Sequence, residues 1–215
     1  PEIYAREQII LHEKQRTEIV VQALRLGEDI AIATTPNETY AISGLKIKNA
    51  SPAPHTMVIE LANGGDGYIP PPEQHLLGGY NTWAARSAGL DVQAEPKIVG
   101  AAISLLENVT GQRRTDRRPA HGPAAKHILS LNPKAYWRLD EFSGPRAIDA
   151  SRFGNDAIYE PQVLFYLPGP ASGQFSEGGL NRSAHFAGDR LSARIPELTG
   201  NDYTVSLWFW SGSAN

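Results

Sequence analysis

The sequence predicts two halves of different fold class: an α/β (or α+β) first half and an incomplete all-β sandwich in the second. Helix and strand patterns alternate over residues 1 to 110. Beyond a basic stretch, short apolar runs separated by Gly, Pro, Asn and Asp follow one another, which is typical of a β-sandwich. We therefore predict one domain over residues 1–110, a linker over 111–128 and a second domain over 129–215.

The first half opens with a helix and a hairpin. Isoleucines among charged residues predict a helix from Tyr4 to Gln15. Glu18–Leu26 and Ile30–Thr34 are apolar runs on either side of a short polar turn, which predicts an antiparallel hairpin. A second helix is expected from Pro36 to Lys48, with Asn37 as a suitable N-cap.

A buried strand and a long helix complete this half. His55–Leu61 is a further apolar run, and the glycine-rich residues 62–67 after it predict a tight loop. Ala94–Asn108 places its apolar side chains on one face, which predicts an amphipathic helix.

Residues 111–128 contain four arginines, proline and glycine without an apolar period, and this predicts a solvated linker. The alternative is an RNA-binding arm, but the stretch is short and has no interleaved aromatic residues.

The second half consists of short predicted strands. They are Ala135–Leu139, Asp156–Tyr159, Ser183–Phe186, Leu191–Ile195 and Tyr203–Phe209. A sandwich needs more strands than these to cover both faces. We therefore expect the sequence to be a piece of a longer protein, cut at both ends.

Composition excludes several kinds of site. The net charge of −3 argues against a nucleic-acid partner, and no apolar run is long enough for a membrane span. The absence of cysteine excludes disulfides, thiolate metal sites and cysteine nucleophiles. Any metal site in this chain must use His, Asp, Glu or Tyr.

Two residues in the first half are candidates for a metal site. Glu38 follows an apolar strand where a helix is expected to begin, so its carboxylate can serve a metal or simply the helix dipole. Tyr80 follows Gly78-Gly79, which permits a sharp bend and a close approach to another group. A loop tyrosine more often packs or forms hydrogen bonds, and spacing alone does not decide between these roles.

A family resemblance favours the metal-ligand role for Glu38 and Tyr80. The chain carries an ordered series of short motifs: Pro36-Asn37-Glu38, Leu45 to Lys48, His55-Thr56, Leu61 to Gly64, Gly67 to Pro70, Glu73 and Gly78-Gly79-Tyr80. In this order they resemble the end of the catalytic domain of the neutral/alkaline non-lysosomal ceramidases. The similarity covers roughly residues 3 to 110.

The resemblance implies a zinc-dependent amidohydrolase that cleaves the N-acyl amide of ceramide-like lipids. The family holds Zn²⁺ with two histidines, one glutamate and one tyrosine, and the last two correspond to Glu38 and Tyr80. The histidine ligands are expected upstream, so His12 and His55 do not replace them and the isolated chain is expected to be inert. Asn37 stands where the family has glycine, and Gly65-Asp66 removes apolar surface, which puts the ceramide substrate in doubt.

The second half resembles laminin-G-like or concanavalin-A-like jelly rolls. The motifs that carry this are Tyr136 to Glu141, Asp149 with Ser151 and Gly154-Asn155, Ala184 to Gly188, and Tyr203 to Trp208. The resemblance implies a glycan or an extracellular partner and a secreted, cell-surface or periplasmic location.

Two kinds of site in the second half have competing interpretations. Asp140, Glu141 and Asp149 could form a Ca²⁺ site, although acidic residues at strand ends are usually solvated. Trp137 and Trp208 could stack on a sugar, although strand alternation favours packing in the core.

Three interpretations of the whole protein stay open. The first is a zinc amidohydrolase of ceramidase type fused to a binding module. The second is a non-catalytic adhesion protein that retains a hydrolase scaffold. The third is a zinc hydrolase that acts on another amide or an ester.

Overall fold

The computed structural model describes residues 2–65, 67–115, 120–196, 198–200 and 202–210. Over these ranges the chain is mixed α/β, with ten strands in small sheets and five α-helices. None of the helices in the described ranges is long and apolar enough to cross a membrane.

The predicted hairpin is confirmed. Strands β1 (Gln22–Leu26) and β2 (Ile30–Thr34) pair antiparallel, and Gly27 has a φ of 65° in the turn between them. Strand β4 (His55–Ile59) extends the sheet by pairing parallel to β2. The carboxyl ends of β2 and β4 therefore lie side by side, at the edge where the chain continues towards Glu38.

Two helices cover one face of this sheet. Helix α2 (Ala41–Ala50) connects β2 to β4, and α4 (Ala94–Thr110) contacts both α2 and the hairpin. Small side chains on β2 allow the helices to approach closely. The buried core consists of Ala31, Ala33, Ile47, Ala53, Val99, Ala102, Ile103 and Leu106.

Helix α2 begins later than the sequence predicts, and Asn37 is not its N-cap. The cap position is Tyr40, and its side chain makes no capping hydrogen bond. Asn37 has a φ of 56°, and this left-handed residue turns the chain before the helix can start. Residues Glu38–Thr39 instead form strand β3, which pairs parallel to β5 (Tyr68–Ile69).

Helix α1 (Glu2–Glu13) matches the predicted first helix apart from its ends. It contacts the loop after residue 82, where the Glu7 carboxylate accepts hydrogen bonds from the Arg86 guanidinium and backbone N–H. The side chain of Gln8 donates to the carbonyl of Ala84 at 2.6 Å. These contacts fix the loop that follows Tyr80.

Part of the predicted linker is structured. Thr115 donates a backbone hydrogen bond to the carbonyl of Ala50 at 2.9 Å, and residues 116–119 lie outside the described ranges. Helix α5 (Pro123–Ser130) then begins inside the stretch predicted as linker, with proline in its first turn and Ala125 fully buried.

The second half forms two small sheets. Strands β6 (Arg146–Ala147), β7 (Ala157–Tyr159) and β10 (Leu191–Ser192) form one sheet, in the order β10-β7-β6. Strands β8 (Val163–Pro168) and β9 (Arg182–Phe186) form an antiparallel pair. Ala147, Ala157, Tyr159 and Val163 are the buried core between them.

Several predicted strands differ from the structure. Ala135–Leu139 contributes only a single bridge, between Trp137 and Asp149, and Leu191–Ile195 is shortened to β10. Tyr203–Phe209 is exposed and forms no strand. Strand β8 was not predicted, because a bulge between Leu164 and Leu167 interrupts its alternation.

Candidate functional site

The candidate site forms where β3 and β5 pair. In this parallel register Glu38 stands opposite Tyr68, and the Glu38 N–H donates to the carbonyl of Gly67 at 3.1 Å. Residues opposite each other on neighbouring strands point to the same side of a sheet. The Tyr68 hydroxyl is therefore within hydrogen-bonding reach of the Glu38 carboxylate.

The charge of Glu38 changes the chemistry of Tyr68. It raises the pKa of the Tyr68 phenol above its usual value, and burial, the hydrogen bond to Glu38 and the neighbouring Tyr80 act in the same direction. Tyr68 is therefore held protonated over a wider pH range than an ordinary tyrosine, and it can donate a hydrogen bond to Glu38.

Tyr80 joins the same cluster. It opens a short 3₁₀ helix (Tyr80–Thr82) after Gly78 and Gly79, whose φ angles are 75° and 107°. Its ring meets that of Tyr68 edge to face, with centroids 5.7 Å apart. The structure thus brings both residues predicted for the metal site, Glu38 and Tyr80, into contact with Tyr68.

Tyr68 is the site residue that the sequence interpretation missed. It lies within Gly67-Tyr68-Ile69-Pro70, a motif that carries the family resemblance but does not mark Tyr68 as a site residue. The strand that carries it has two residues, so no alternation of apolar and polar residues marks it.

An aromatic series continues outward from the site. The Tyr80 and Trp83 ring centroids are 6.5 Å apart, and Tyr4 meets Trp83 edge to face at 5.2 Å. Tyr80 is 61% exposed and Trp83 is 50% exposed. These side chains offer apolar surface next to the Glu38 carboxylate.

Gly67 holds the two strands of the site against a third segment. The Tyr68 N–H donates to the carbonyl of Ser87 at 2.8 Å, and Gly67 forms a bridge with Ala88. A Cβ atom on Gly67 would lie 2.0 Å from the Ser87 carbonyl oxygen. Only glycine fits at this position.

The residue before Glu38 is strained and fully buried. Asn37 has a φ of 56°, and neither polar atom of its side chain has a hydrogen-bond partner among the described residues. The Asn37 carbonyl accepts from the N–H of Leu61 and of Thr39, which holds the bend in place. Strained residues of this kind concentrate at functional sites.

The oxygen donors at this site suit a divalent metal, but they form only part of a ligand set. Carboxylate and phenol oxygens are ligands that Zn²⁺ accepts, usually together with imidazoles. His55 starts β4 opposite Ile30, at the other end of the strands from Glu38. The part of the chain that the structure describes contains no group of three or more His, Cys, Asp or Glu able to hold a metal ion.

The sequence comparison with the ceramidase family singled out Gly65-Asp66 as a loop difference. Asp66 lies outside the described residues.

Asp149, the most buried of the predicted calcium residues, makes a dense set of hydrogen bonds. Its carboxylate accepts from the N–H groups of Tyr136, Ser151 and Asn155 and from the Ser151 hydroxyl, at 2.6 to 2.8 Å. Burial acts to raise the pKa of Asp149, but these hydrogen bonds outweigh it and lower the pKa. They give Asp149 a structural role at the turn after Ala147.

The other two acidic residues also have partners. The Glu141 carboxylate accepts from the Ile148 N–H at 2.8 Å and from the Tyr159 hydroxyl at 2.7 Å. Asp140 lies 3.5 Å from the guanidinium of Arg138. A Ca²⁺ site built from these residues stays a prediction.

The two tryptophans differ in their surroundings. Trp137 packs against the core of the second half and donates its indole N–H to the carbonyl of Asn155 at 2.9 Å, so the packing interpretation is confirmed for it. For Trp208 that interpretation is wrong: it is 77% exposed and touches Phe175 edge to face. Without a paired strand, alternation does not direct Trp208 into a core.

No protein-family model, no curated protein and no solved structure matches this chain.

Proposed function

We propose that the first half of this chain carries part of the centre of a zinc-dependent amidohydrolase of ceramidase type. The observation that carries the proposal is the cluster of Glu38, Tyr68 and Tyr80 at the β3–β5 pair. It places one carboxylate and two phenols together, at the carboxyl end of a parallel strand pair. The motif resemblance of residues 3 to 110 points to the same chemistry.

Each residue has a distinct role in this proposal. Glu38 supplies the anionic oxygen ligand. Tyr68, which faces the Glu38 carboxylate, orients that ligand. Tyr80 supplies the phenol oxygen ligand that the resemblance implies, and its exposed ring borders the site. Zn²⁺ in such a site polarises an amide carbonyl and lowers the pKa of a bound water.

The aromatic side chains beside Glu38 support a substrate with an apolar portion. A ceramide-like lipid, or another amide with an apolar portion, would lie along Tyr80 and Trp83, which are both at least half exposed. The second half would supply a jelly-roll module for a glycan or another extracellular partner, in a secreted or cell-surface protein.

A non-catalytic binding protein is the second candidate. It is favoured by the exposed aromatic surface of Tyr80 and Trp83, which can bind a ligand without hydrolysing it.

A zinc titration followed by backbone amide NMR tests the proposed site. We expect Zn²⁺ to shift the resonances of Glu38, Tyr68 and Tyr80 weakly in the wild-type chain, and Glu38→Gln and Tyr68→Phe to reduce the shifts. Glu28→Gln is the matched control, because Glu28 is exposed in the hairpin turn at the other end of the sheet.

Unchanged resonances with zinc, or shifts that survive Glu38→Gln, would exclude this site. The isolated chain should not hydrolyse a ceramide analogue, because the expected histidine ligands are not among its residues. Turnover that depends on Glu38 would show that this expectation is wrong.

A further inference from the structure

Three helices of the first half share one buried cluster of charges. Lys46 lies on α2, Glu95 lies on α4, and Glu73 lies on helix α3 (Pro72–Leu77). The Lys46 ammonium is 3.0 and 3.3 Å from the two oxygens of Glu95 and 3.9 Å from Glu73. The exposed fractions of these side chains are 14% for Lys46, 17% for Glu73 and 1% for Glu95.

The two carboxylates are held very differently. Glu95 accepts hydrogen bonds from Lys46 and from the Ser43 hydroxyl, the latter at 2.6 Å. Glu73 has the longer contact with Lys46 and a hydrogen bond from its own backbone N–H. One cation therefore faces two buried carboxylates, and Glu73 is the group that can take up a proton at least cost.

The charged groups that face Glu73 are Lys46 from α2 and Glu95 from α4. Strand β8 also contacts α3, and its only ionisable side chain is Tyr166. Burial raises the pKa of Glu73, Lys46 and the backbone N–H of Glu73 lower it, and Glu95 raises it again, with a net rise. A carboxyl whose pKa is higher in the folded state stabilises the fold when it is neutral. That stability is lost as the pH rises through its folded pKa.

The position of α3 matters because it leads directly to Tyr80. The helix ends at Leu77, and Gly78 and Gly79 follow with positive φ. No heavy atom lies within 4 Å of a Cβ built on Gly78, so there is open space on that side of the joint. Lys46 belongs to the helix that follows Glu38, so the charge cluster connects this helix to α3, the helix that precedes Tyr80.

We propose that Glu73 is a positioning residue, which through Lys46 and α3 sets where Tyr80 lies relative to Glu38 and Tyr68. Neutral Glu73 keeps α3 docked, and ionisation of Glu73 loosens α3 and moves Tyr80. The proposal rests on the proposed function only in assigning Tyr80 to the site.

A pH titration of backbone amide resonances in the full chain tests this. In the wild type, the amides of Gly78, Gly79 and Tyr80 should shift with one common midpoint, above the usual range of a glutamate. Glu73→Gln keeps the shape of the side chain and should abolish the shift. Lys46→Arg should preserve it, and Lys46→Met should move the midpoint to higher pH.

Glu177→Gln is the matched control, because Glu177 belongs to an exposed ion pair with Lys126 in the second half. It should leave the titration unchanged. The proposal would be overturned if the amide resonances of Gly78–Tyr80 did not shift with pH in the wild type, or if their shift persisted in Glu73→Gln. The readout needs no zinc, so its failure is distinguishable from failure of the zinc titration.

Discussion

Gly67→Ala should disrupt the candidate site more severely than any other glycine replacement in the first half. The added Cβ would lie 2.0 Å from the carbonyl oxygen and 2.2 Å from the carbonyl carbon of Ser87. Both are backbone atoms, so no side-chain rotation relieves the overlap. The strand that carries Tyr68 has to move away from Ser87.

The cost follows from what this movement breaks. The hydrogen bonds from Tyr68 N–H to Ser87 and from Glu38 N–H to Gly67 are 2.8 and 3.1 Å long. Losing both costs about 2 kcal/mol. The φ of 86° adds about 1–2 kcal/mol for a residue with a side chain. We expect a loss of about 3–4 kcal/mol in the free energy of unfolding.

Gly78→Ala is the matched control for backbone strain. Gly78 also has a positive φ, 75°, but a Cβ there meets no heavy atom within 4 Å. We expect a loss of about 1–2 kcal/mol for it. Urea unfolding of the two variants measures the difference, which isolates the contact with Ser87. Equal losses for Gly67→Ala and Gly78→Ala would refute the inference that close packing at Ser87 maintains the site.

Three further predictions concern the rest of the chain. Asp149→Asn should cost about 2–4 kcal/mol at neutral pH, because four donors lose their anion. Since the pKa of Asp149 is lowered in the folded state, the extra stability of the wild type over Asp149→Asn should vanish as the pH falls through that pKa. A stability difference that persists in acid would contradict this. Leu106→Ala should cost about 2–5 kcal/mol by urea unfolding, because Leu106 is fully buried between α4 and the sheet, and a loss below 1 kcal/mol would argue against that core. Trp208→Ala should change stability by less than about 1 kcal/mol, because Trp208 is largely exposed; a large loss would indicate a packed strand at Tyr203–Phe209.

Local patterns were sufficient for the hairpin and for the long helix of the first half. The β1–β2 hairpin is specified by two apolar runs around one turn, and α4 by its apolar face, so neither depends on distant residues. Asn37 shows the limit of this approach. Its residue type suits both a helix cap and a left-handed bend, and only the pairing of β3 with β5 selects the bend.

The site was partly predictable for a similar reason. Glu38 and Tyr80 lie in sequence motifs that resemble those of the ceramidase family. Tyr68 becomes a site residue only through its register opposite Glu38. In the second half, Tyr203–Phe209 has the composition of a strand but no paired neighbour among the described residues. A strand requires a partner, and composition does not supply one.

The pairing of Glu38 with Tyr68 also has a consequence for the order of folding. The hairpin closes over three turn residues, but β3 and β5 meet only after roughly thirty residues of chain are looped, at a cost of about 3 kcal/mol in chain entropy. Two ladder positions offset little of that cost. The site should therefore assemble last and open first, exchanging the amide hydrogens of β5 well before those of β2.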